Sequence, residues 1–289
     1  MFKKLSPSIN QNAISHAAKS DYEPLANFLN QNPCVHRHLD WFSPLDWLGQ
    51  QPFLIEKIGE NIQAVFCAVP ENRQIAWMRV FGITKTQSLT PTWDKMLSKA
   101  IRVLQKNKIR ALASLSLHSW YRKLLERSGF DHSQDIVVLE WQGALPDQSR
   151  LNSSIEIREM LITDLTDVDE IDRLAFRPLW QNAPVGLAKA FNQPGISTVA
   201  IKDGCIVGYQ ISTAMTIYGH LARLAVHPDC QREGIAFTLV YDLLKRFEKR
   251  GFLRVTVNTQ SDNIASLRLY DKFAFQATGE KIPVFTLDI

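Results

Sequence analysis

Cysteine is scarce in this chain: four residues in 289, Cys34, Cys67, Cys205 and Cys230. None stands in a CxxC pair, and no dense framework is present, so reduced thiols in a cytoplasmic protein are expected. Long apolar runs are also missing. Nothing approaches the ~20 residues that a membrane span requires, and Met1-Phe-Lys-Lys-Leu-Ser-Pro has no apolar stretch long enough for a signal peptide. No membrane partner is expected. A charge excess of one sign is lacking too: 33 Lys and Arg against 29 Asp and Glu leave +4, spread along the chain. Composition therefore gives no sign of a nucleic-acid partner. What is there is a globular balance, 45% apolar and 21% charged, which argues against long disorder. A monomer or a homodimer is expected.

The length suits two domains, and an internal repeat organises them. Tyr121-Arg-Lys-Leu-Leu-Glu-Arg-Ser-Gly-Phe130 lies over Ser266-Leu-Arg-Leu-Tyr-Asp-Lys-Phe-Ala-Phe275 at an offset of 145 residues. The same offset brings Glu56-Lys-Ile-Gly59 onto Ile201-Lys-Asp-Gly204 and Trp93–Lys106 onto Thr238–Gly251. Each match is weak, but chance similarities would not keep one spacing. Gly143–Ser154, rich in turn formers, reads as a linker. The expectation is an α/β fold of two related units, residues 1–142 and 155–289, each a mixed, mostly antiparallel sheet flanked by helices.

The second unit reads as strand Ile155–Glu159, helix Leu165–Phe176, a hairpin of Ser197–Ile201 and Cys205–Met215 turning at Lys-Asp-Gly, and strand Leu221–Val226. An amphipathic helix comes next over Ala236–Arg250, with Ala236, Leu239, Val240, Leu243, Leu244 and Phe247 on one face. Strand Leu253–Asn258, helix Asn263–Phe273 and a terminal strand Val284–Ile289 complete it.

The most informative stretch is Leu221-Ala-Arg-Leu-Ala-Val226-His-Pro228-Asp-Cys-Gln231-Arg-Glu-Gly234-Ile-Ala236. It runs from a strand through a Pro-marked turn into a helix, whose free N–H groups and dipole make an anion site. Gly234 and Ala236 lack the bulk to keep a pyrophosphate from the main chain. Glycines alone would be compatible with an ordinary strand–helix turn.

Here the sequence resembles the GCN5-related N-acetyltransferase (GNAT) family. That family's pyrophosphate loop, Gln/Arg-x-x-Gly-x-Gly/Ala, is met by Gln231, Gly234 and Ala236, after a Val-x-Pro turn met by Val226 and Pro228. Its second hallmark, Asn-x-x-Ala/Ser-x-x-Leu-Tyr-x-Lys-x-Gly-Phe, is met by Asn263, Ser266, Leu269, Tyr270, Lys272 and Phe275, with Ala274 replacing the usual Gly. The resemblance implies an N-acetyltransferase that moves an acetyl group from acetyl-CoA, its co-substrate, to a primary amine acceptor, without metal. It implies a slot beside the strand ending at Val226, with main-chain groups of Leu224, Ala225 and Val226 along the pantetheine arm. The amides of Gln231, Arg232, Glu233, Gly234, Ile235 and Ala236 would hold the pyrophosphate, with Asn263 and Ser266 also on the cofactor side. Tyr270 would protonate the leaving thiolate, since a phenol is protonated near pH 7. Without the motif it reads as a core tyrosine.

Other residues are open to two readings. Some relatives carry a Glu where this chain has Asn258, which cannot serve as a base. His220 is a candidate base, although its position reads more simply as a solvent-facing turn. Cys34, His36 and His38 lie close together, with both histidines on one strand face, but no second ligand cluster accompanies them. Cys230 neighbours the anion site and reads as an incidental small residue. Lys245, Arg246, Lys249 and Arg250 read as a solvated helix end. Phe176-Arg-Pro-Leu-Trp180 is a pocket wall or a hydrophobic anchor. In the first unit the pyrophosphate-loop counterpart, Gly82–Pro91, lacks the pattern, and Leu125 stands where Tyr270 does. That unit reads as a degenerate copy. A non-catalytic acyl-CoA sensor, and transfer of a longer acyl group, are the competing functions.

Overall fold

The computed structural model describes residues 13–252 and 254–289. The chain divides into two compact units, one running to Asp131 and taking Thr286–Ile289, the other spanning His132–Phe285.

In the first unit the elements are β1 (Ala13–His16), α1 (Tyr22–Gln31), β2 (Val35–Arg37), β3 (Phe53–Ile58), β4 (Asn61–Pro70), β5 (Ile75–Ile83), α2 (Leu89–Lys106), β6 (Ala111–Leu115) and α3 (Ser119–Arg127). Strands run in the order β1-β3-β4-β5-β6, with β2 also paired to β5. Apolar side chains fill both faces of β4 and β5, which explains why these read as near-continuous apolar runs. Phe66, Phe81, Trp93 and Tyr121 cluster at the centre, with Phe66–Phe81, Phe81–Trp93 and Trp93–Tyr121 edge-to-face.

In the second unit the elements are β7 (Asp131–Trp141), β8 (Glu156–Glu159), α4 (Leu165–Ala175), α5 (Pro184–Phe191), β9 (Gly195–Lys202), β10 (Cys205–Met215), β11 (Tyr218–Val226), α6 (Ile235–Lys249), β12 (Arg254–Gln260), α7 (Ile264–Asp271) and β13 (Gln276–Asp288). Its strand order is β13-β7-β12-β11-β10-β9-β8. Helix α6 lays Phe237, Val240, Leu243, Leu244 and Phe247 into a core with Leu221, Val255 and Val257. Each such side chain stabilises by about 1.5–3 kcal/mol on burial. Close packing is demanded at Gly219, where a Cβ would stand 2.6 Å from the Phe247 ring.

The repeat is visible in backbone detail. Gly59 and Gly204, 145 residues apart, both turn a hairpin with positive φ, 59° and 80°. Gly129 and Ala274 are related in the same way, with φ of 80° and 59° after α3 and α7. Ala274 therefore holds a left-handed conformation that costs a Cβ-bearing residue about 1–2 kcal/mol.

Three features differ from the sequence reading. The units part at Asp131, because β7 pairs antiparallel with β12 along Trp141↔Val255 to Ile136↔Gln260. The terminal strand starts at Gln276 rather than Val284, since its polar first half borders β7, where Thr278 Oγ1 donates to the Val138 carbonyl at 3.1 Å. The stretch read as a linker is docked: Leu145 and Leu151 pack on the α6 core, and Asn152 Nδ2 donates to the Glu233 carbonyl at 2.8 Å.

Candidate active site

The site is built where two parallel strands part. β11 and β12 pair from Tyr218↔Arg254 to Leu221↔Val257 and no further. At that point β11 carries a bulge: Ile211 opposes Arg223 and Ser212 opposes Leu221, leaving Ala222 as the extra residue. A bulge bends and over-twists its strand, which carries Leu224–Val226 away from β12. It also reverses the faces. Leu221 packs on the α6 core, whereas beyond the bulge Leu224 and Val226 do so, beside Ile235 and Leu239. Backbone alternation completes the geometry. His227 N–H donates to Val207 on β10 at 2.8 Å. The groups of Ala225 therefore also face β10, and those of Leu224 and Val226 face the opening. The Val226 carbonyl accepts from Gln231 Nε2 at 3.3 Å.

The turn out of β11 ends in a curled stretch of backbone at the start of α6. Arg232 and Gly234 have positive φ, 68° and 81°, and Gly234 caps α6. Such alternation curls successive N–H groups inward, and α6 adds its unpaired first-turn amides with no acidic residue in that turn. The exposed Glu233 carboxylate is held by Lys202 at 2.6 Å, and Asn152 braces the carbonyl behind it. A Cβ on Gly234 would meet nothing closer than Asn152 Cβ at 3.8 Å. Backbone conformation, rather than crowding by the protein, is thus what requires glycine there. The Ile235 side chain is buried with Val226 and Leu239, so only its main chain is offered to a ligand.

Below the fork, Tyr270 on α7 is buried in the apolar cluster that also holds Leu221 and Val257, the last rung before the strands part. Burial pushes its phenol pKa up, which keeps the proton on oxygen. Asn263 caps α7, accepting from Ser266 N–H at 3.2 Å and donating to Gln260 at 3.2 Å. On the opposite sheet face His220 lies within β11, not in a turn. Its Nδ1 is 2.8 Å from Thr256 Oγ1, and burial lowers its pKa, so the ring is neutral at pH 7. The strand begins at Tyr218 because the hairpin pairs as far as Met215↔Tyr218. In register, Glu140 of β7 stands opposite Thr256.

Residues 165–275 match the sequence model of the Acetyltransferase (GNAT) family. This stretch is a GNAT domain. Over 74 residues the chain is 28% identical to the [ribosomal protein bS18]-alanine N-acetyltransferase of Escherichia coli K12, covering 26% of this chain and half of that protein. Over 127 residues it is 28% identical to acetyltransferase YE1169 of Yersinia enterocolitica, covering 42% of this chain and 88% of that one. The chain thus spans about half the length of the first of these relatives. In fold it is similar to a tandem GNAT protein from the clavulanic acid biosynthesis pathway, with a TM-score of 0.66 at 12% identity, covering 96% of this chain and 98% of that one.

Sequence reasoning missed the buried polar centre of the GNAT domain. Asp172 on α4 accepts from Tyr209 OH at 2.5 Å, from Arg223 Nε at 2.7 Å and from Asn182 N–H at 3.1 Å. Arg223 also donates to the Trp180 carbonyl at 2.6 Å and stacks on Phe176, its Cζ 3.6 Å from the ring centre. The segment Phe176–Trp180 is therefore fastened to the strand that forms the opening. Burial, then the Asp172 charge, pushes the Tyr209 phenol pKa well up. These partners lie 37 and 51 residues from Asp172, so no local pattern signals them.

Among the other residues, Cys230 is half-buried beside the loop. Arg246 is paired with Asp242 at 2.7 Å and Glu159 at 3.3 Å. No group of three or more His, Cys, Asp or Glu side chains is placed to hold a metal ion among the described residues. No described helix is long and apolar enough to cross a membrane.

Proposed function

We propose that this protein is an acetyl-CoA-dependent N-acetyltransferase whose second unit does the chemistry. The observation that carries the reading is the junction of three features: the parting of β11 from β12 after Leu221–Val257, the curled amides from Arg232 to Gly234 at the start of α6, and Tyr270 in the same cluster as that last rung. The opening offers the main-chain groups of Leu224 and Val226 to a pantetheine arm, and the amides of residues 232–236 to a pyrophosphate; the Gln231 N–H, expected among them, instead donates to the Pro228 carbonyl at 3.3 Å.

Acetyl-CoA supplies a thioester carbonyl. The amine nitrogen bonds to the acyl carbon, the carbon–sulfur bond breaks, one proton leaves the amine and one joins sulfur. The Val226 N–H polarises the carbonyl, and Tyr270 delivers the proton to sulfur. His220, neutral and one rung before the fork, takes up the amine's proton. Asn263 serves as a helix cap on the cofactor side. The first unit is a degenerate copy without the loop. Among described residues none from 84 to 88 has positive φ, and Pro91 removes an amide from the first turn of α2.

The acceptor class most worth testing is a peptide with a free N-terminal alanine, because one relative bears that activity in its name. The test is thiol release from acetyl-CoA against a panel of such peptides, lysine peptides and small amines. Release that depends on one class supports the reading. Tight acetyl-CoA binding with no release for any amine would instead favour an acyl-CoA sensor.

A further inference from the structure

We infer that the first unit contains a slot for an extended ligand, built like the one in the second unit, and that strand β2 of the same chain permanently occupies it.

The two units build the same fork. β5 and β6 pair in parallel at Ile75↔Ala111, Ala76↔Leu112 and Trp77↔Ala113, and then stop. β11 and β12 start from Tyr218↔Arg254, with the same separation of partners, 36 residues in each case (111 − 75 and 254 − 218). β5 also carries the bulge: Cys67 opposes Val80 and Ala68 opposes Met78, leaving Arg79 as the extra residue. Arg79 thus corresponds to Ala222, and Phe81 and Ile83 to Leu224 and Val226.

Beyond the bulge the two forks differ. β4 covers one edge of β5 along its length, so the edge released by β6 is the remaining one. β2 fills it, antiparallel, with Val35↔Gly82, His36↔Phe81 and Arg37↔Val80. Ile83 N–H donates to the Cys34 carbonyl at 3.2 Å, and His38 N–H to the Arg79 carbonyl at 2.8 Å. The ladder between these two bonds pairs Phe81 with His36. The amides that correspond to Leu224 and Val226 are therefore bonded to the protein's own backbone.

Side chains fix the strand in place. His36, fully buried, stacks on Tyr121 with ring centres 3.9 Å apart. Arg79 binds Asp40, just beyond β2, at 2.7 Å and also pairs with Glu71. Arg37 donates to the Leu29 carbonyl at 2.7 Å. Gly82 makes room, since a Cβ there would stand 2.9 Å from Val35 Cγ2. A pantetheine arm could enter only by removing β2, at the cost of these bonds and of the buried surface beneath them.

The comparison with CoA rests on the proposed function of the second unit; the occupancy by β2 does not. Hydrogen exchange resolved to single amides, on the intact chain with and without saturating CoA, separates the two. The expected result is slow exchange at Phe81 and Ile83 without ligand, unchanged by CoA, while Leu224 and Val226 exchange fast and slow by at least tenfold when CoA is added. Fast exchange at Phe81 and Ile83 without ligand, or protection gained there on adding CoA, overturns the inference. Slow and unchanged Phe81 and Ile83 with no response at Leu224 and Val226 upholds it and defeats the reading of the second unit instead. Calorimetry gives an independent check: one CoA per chain is expected, and two would overturn it.

Discussion

Arg223 and Asp172, 51 residues apart, meet at 2.7 Å in the interior of the GNAT domain, Asp172 held further by β10 and the segment 176–182 and Arg223 by that same segment. A buried charge pair adds little over an apolar replacement, but removing one partner leaves the other uncompensated. Asp172→Ala is expected to destabilise the chain by about 3–5 kcal/mol. Arg223→Met keeps an apolar side chain against Phe176 but leaves the Asp172 carboxylate without its counter-charge, and should cost a similar amount. Urea unfolding checks both. A loss under about 1 kcal/mol in both variants would mean that the pair does not hold the segment.

Gly234 carries the loop's conformation at φ 81°. Gly234→Ala should weaken acetyl-CoA binding by about tenfold, because a left-handed Cβ-bearing residue costs about 1–2 kcal/mol. Gly234→Glu adds bulk and negative charge and should weaken it far more. Calorimetric titration distinguishes the two effects. Equal affinity in all three proteins would remove the anion site.

Ala274 bears the reverse penalty. It stands at φ 59°, where the first unit has Gly129 at 80°. Ala274→Gly is expected to stabilise the protein by up to about 1 kcal/mol, the relief of strain being partly offset by the entropy of the unfolded chain. Thermal melting checks the direction, and a lower Tm would contradict it.

Local signals made several elements legible in the sequence: the amphipathic patterns of α4 and α6, the Asp203-Gly204 turn and the run from Gln231 to Ala236. Four features are not local. A one-residue bulge at Ala222 leaves no mark in composition, yet it lies where the fork opens, and His220, expected in a turn, lies in β11 because it pairs with Thr213 and Thr256. β2 is only three residues long and is a strand because β5 has a free edge. The first half of β13, Gln-Ala-Thr-Gly-Glu-Lys, is polar and reads as a loop, but β7 gives it a partner. Asp172 reads as one more acid on a polar helix face, and only the tertiary fold brings Arg223 and Tyr209 to it.

Acid should unfold the first unit through its buried histidines. Burial, reinforced by His118, lowers the His36 pKa to about 3, and burial with Arg79 nearby lowers that of His38 well below 6.5. Both are neutral when folded, whereas the unfolded chain takes up protons near 6.5. Stability is therefore full above pH 6.5 and falls as the pH drops towards 3, by about 1.4 kcal/mol per pH unit for each histidine. His36→Phe keeps a ring on Tyr121 and removes two buried nitrogens without partners. It should flatten the slope by about one proton in urea unfolding between pH 6.5 and 4. An unchanged slope would show that His36 is protonated in the folded chain.

The sharpest test of the proposed chemistry is the turnover of Tyr270→Phe, measured with acetyl-CoA and an acceptor from the panel under conditions where chemistry limits the rate. The ring and its packing are kept and the proton is lost. Acetyl-CoA affinity should stay the same, because the pyrophosphate and pantetheine contacts proposed above lie on residues 224–236. The rate should fall by ~10²–10⁴-fold if general-acid catalysis is removed. Wild-type turnover in Tyr270→Phe would contradict the proposed role and return Tyr270 to the core as a packing residue.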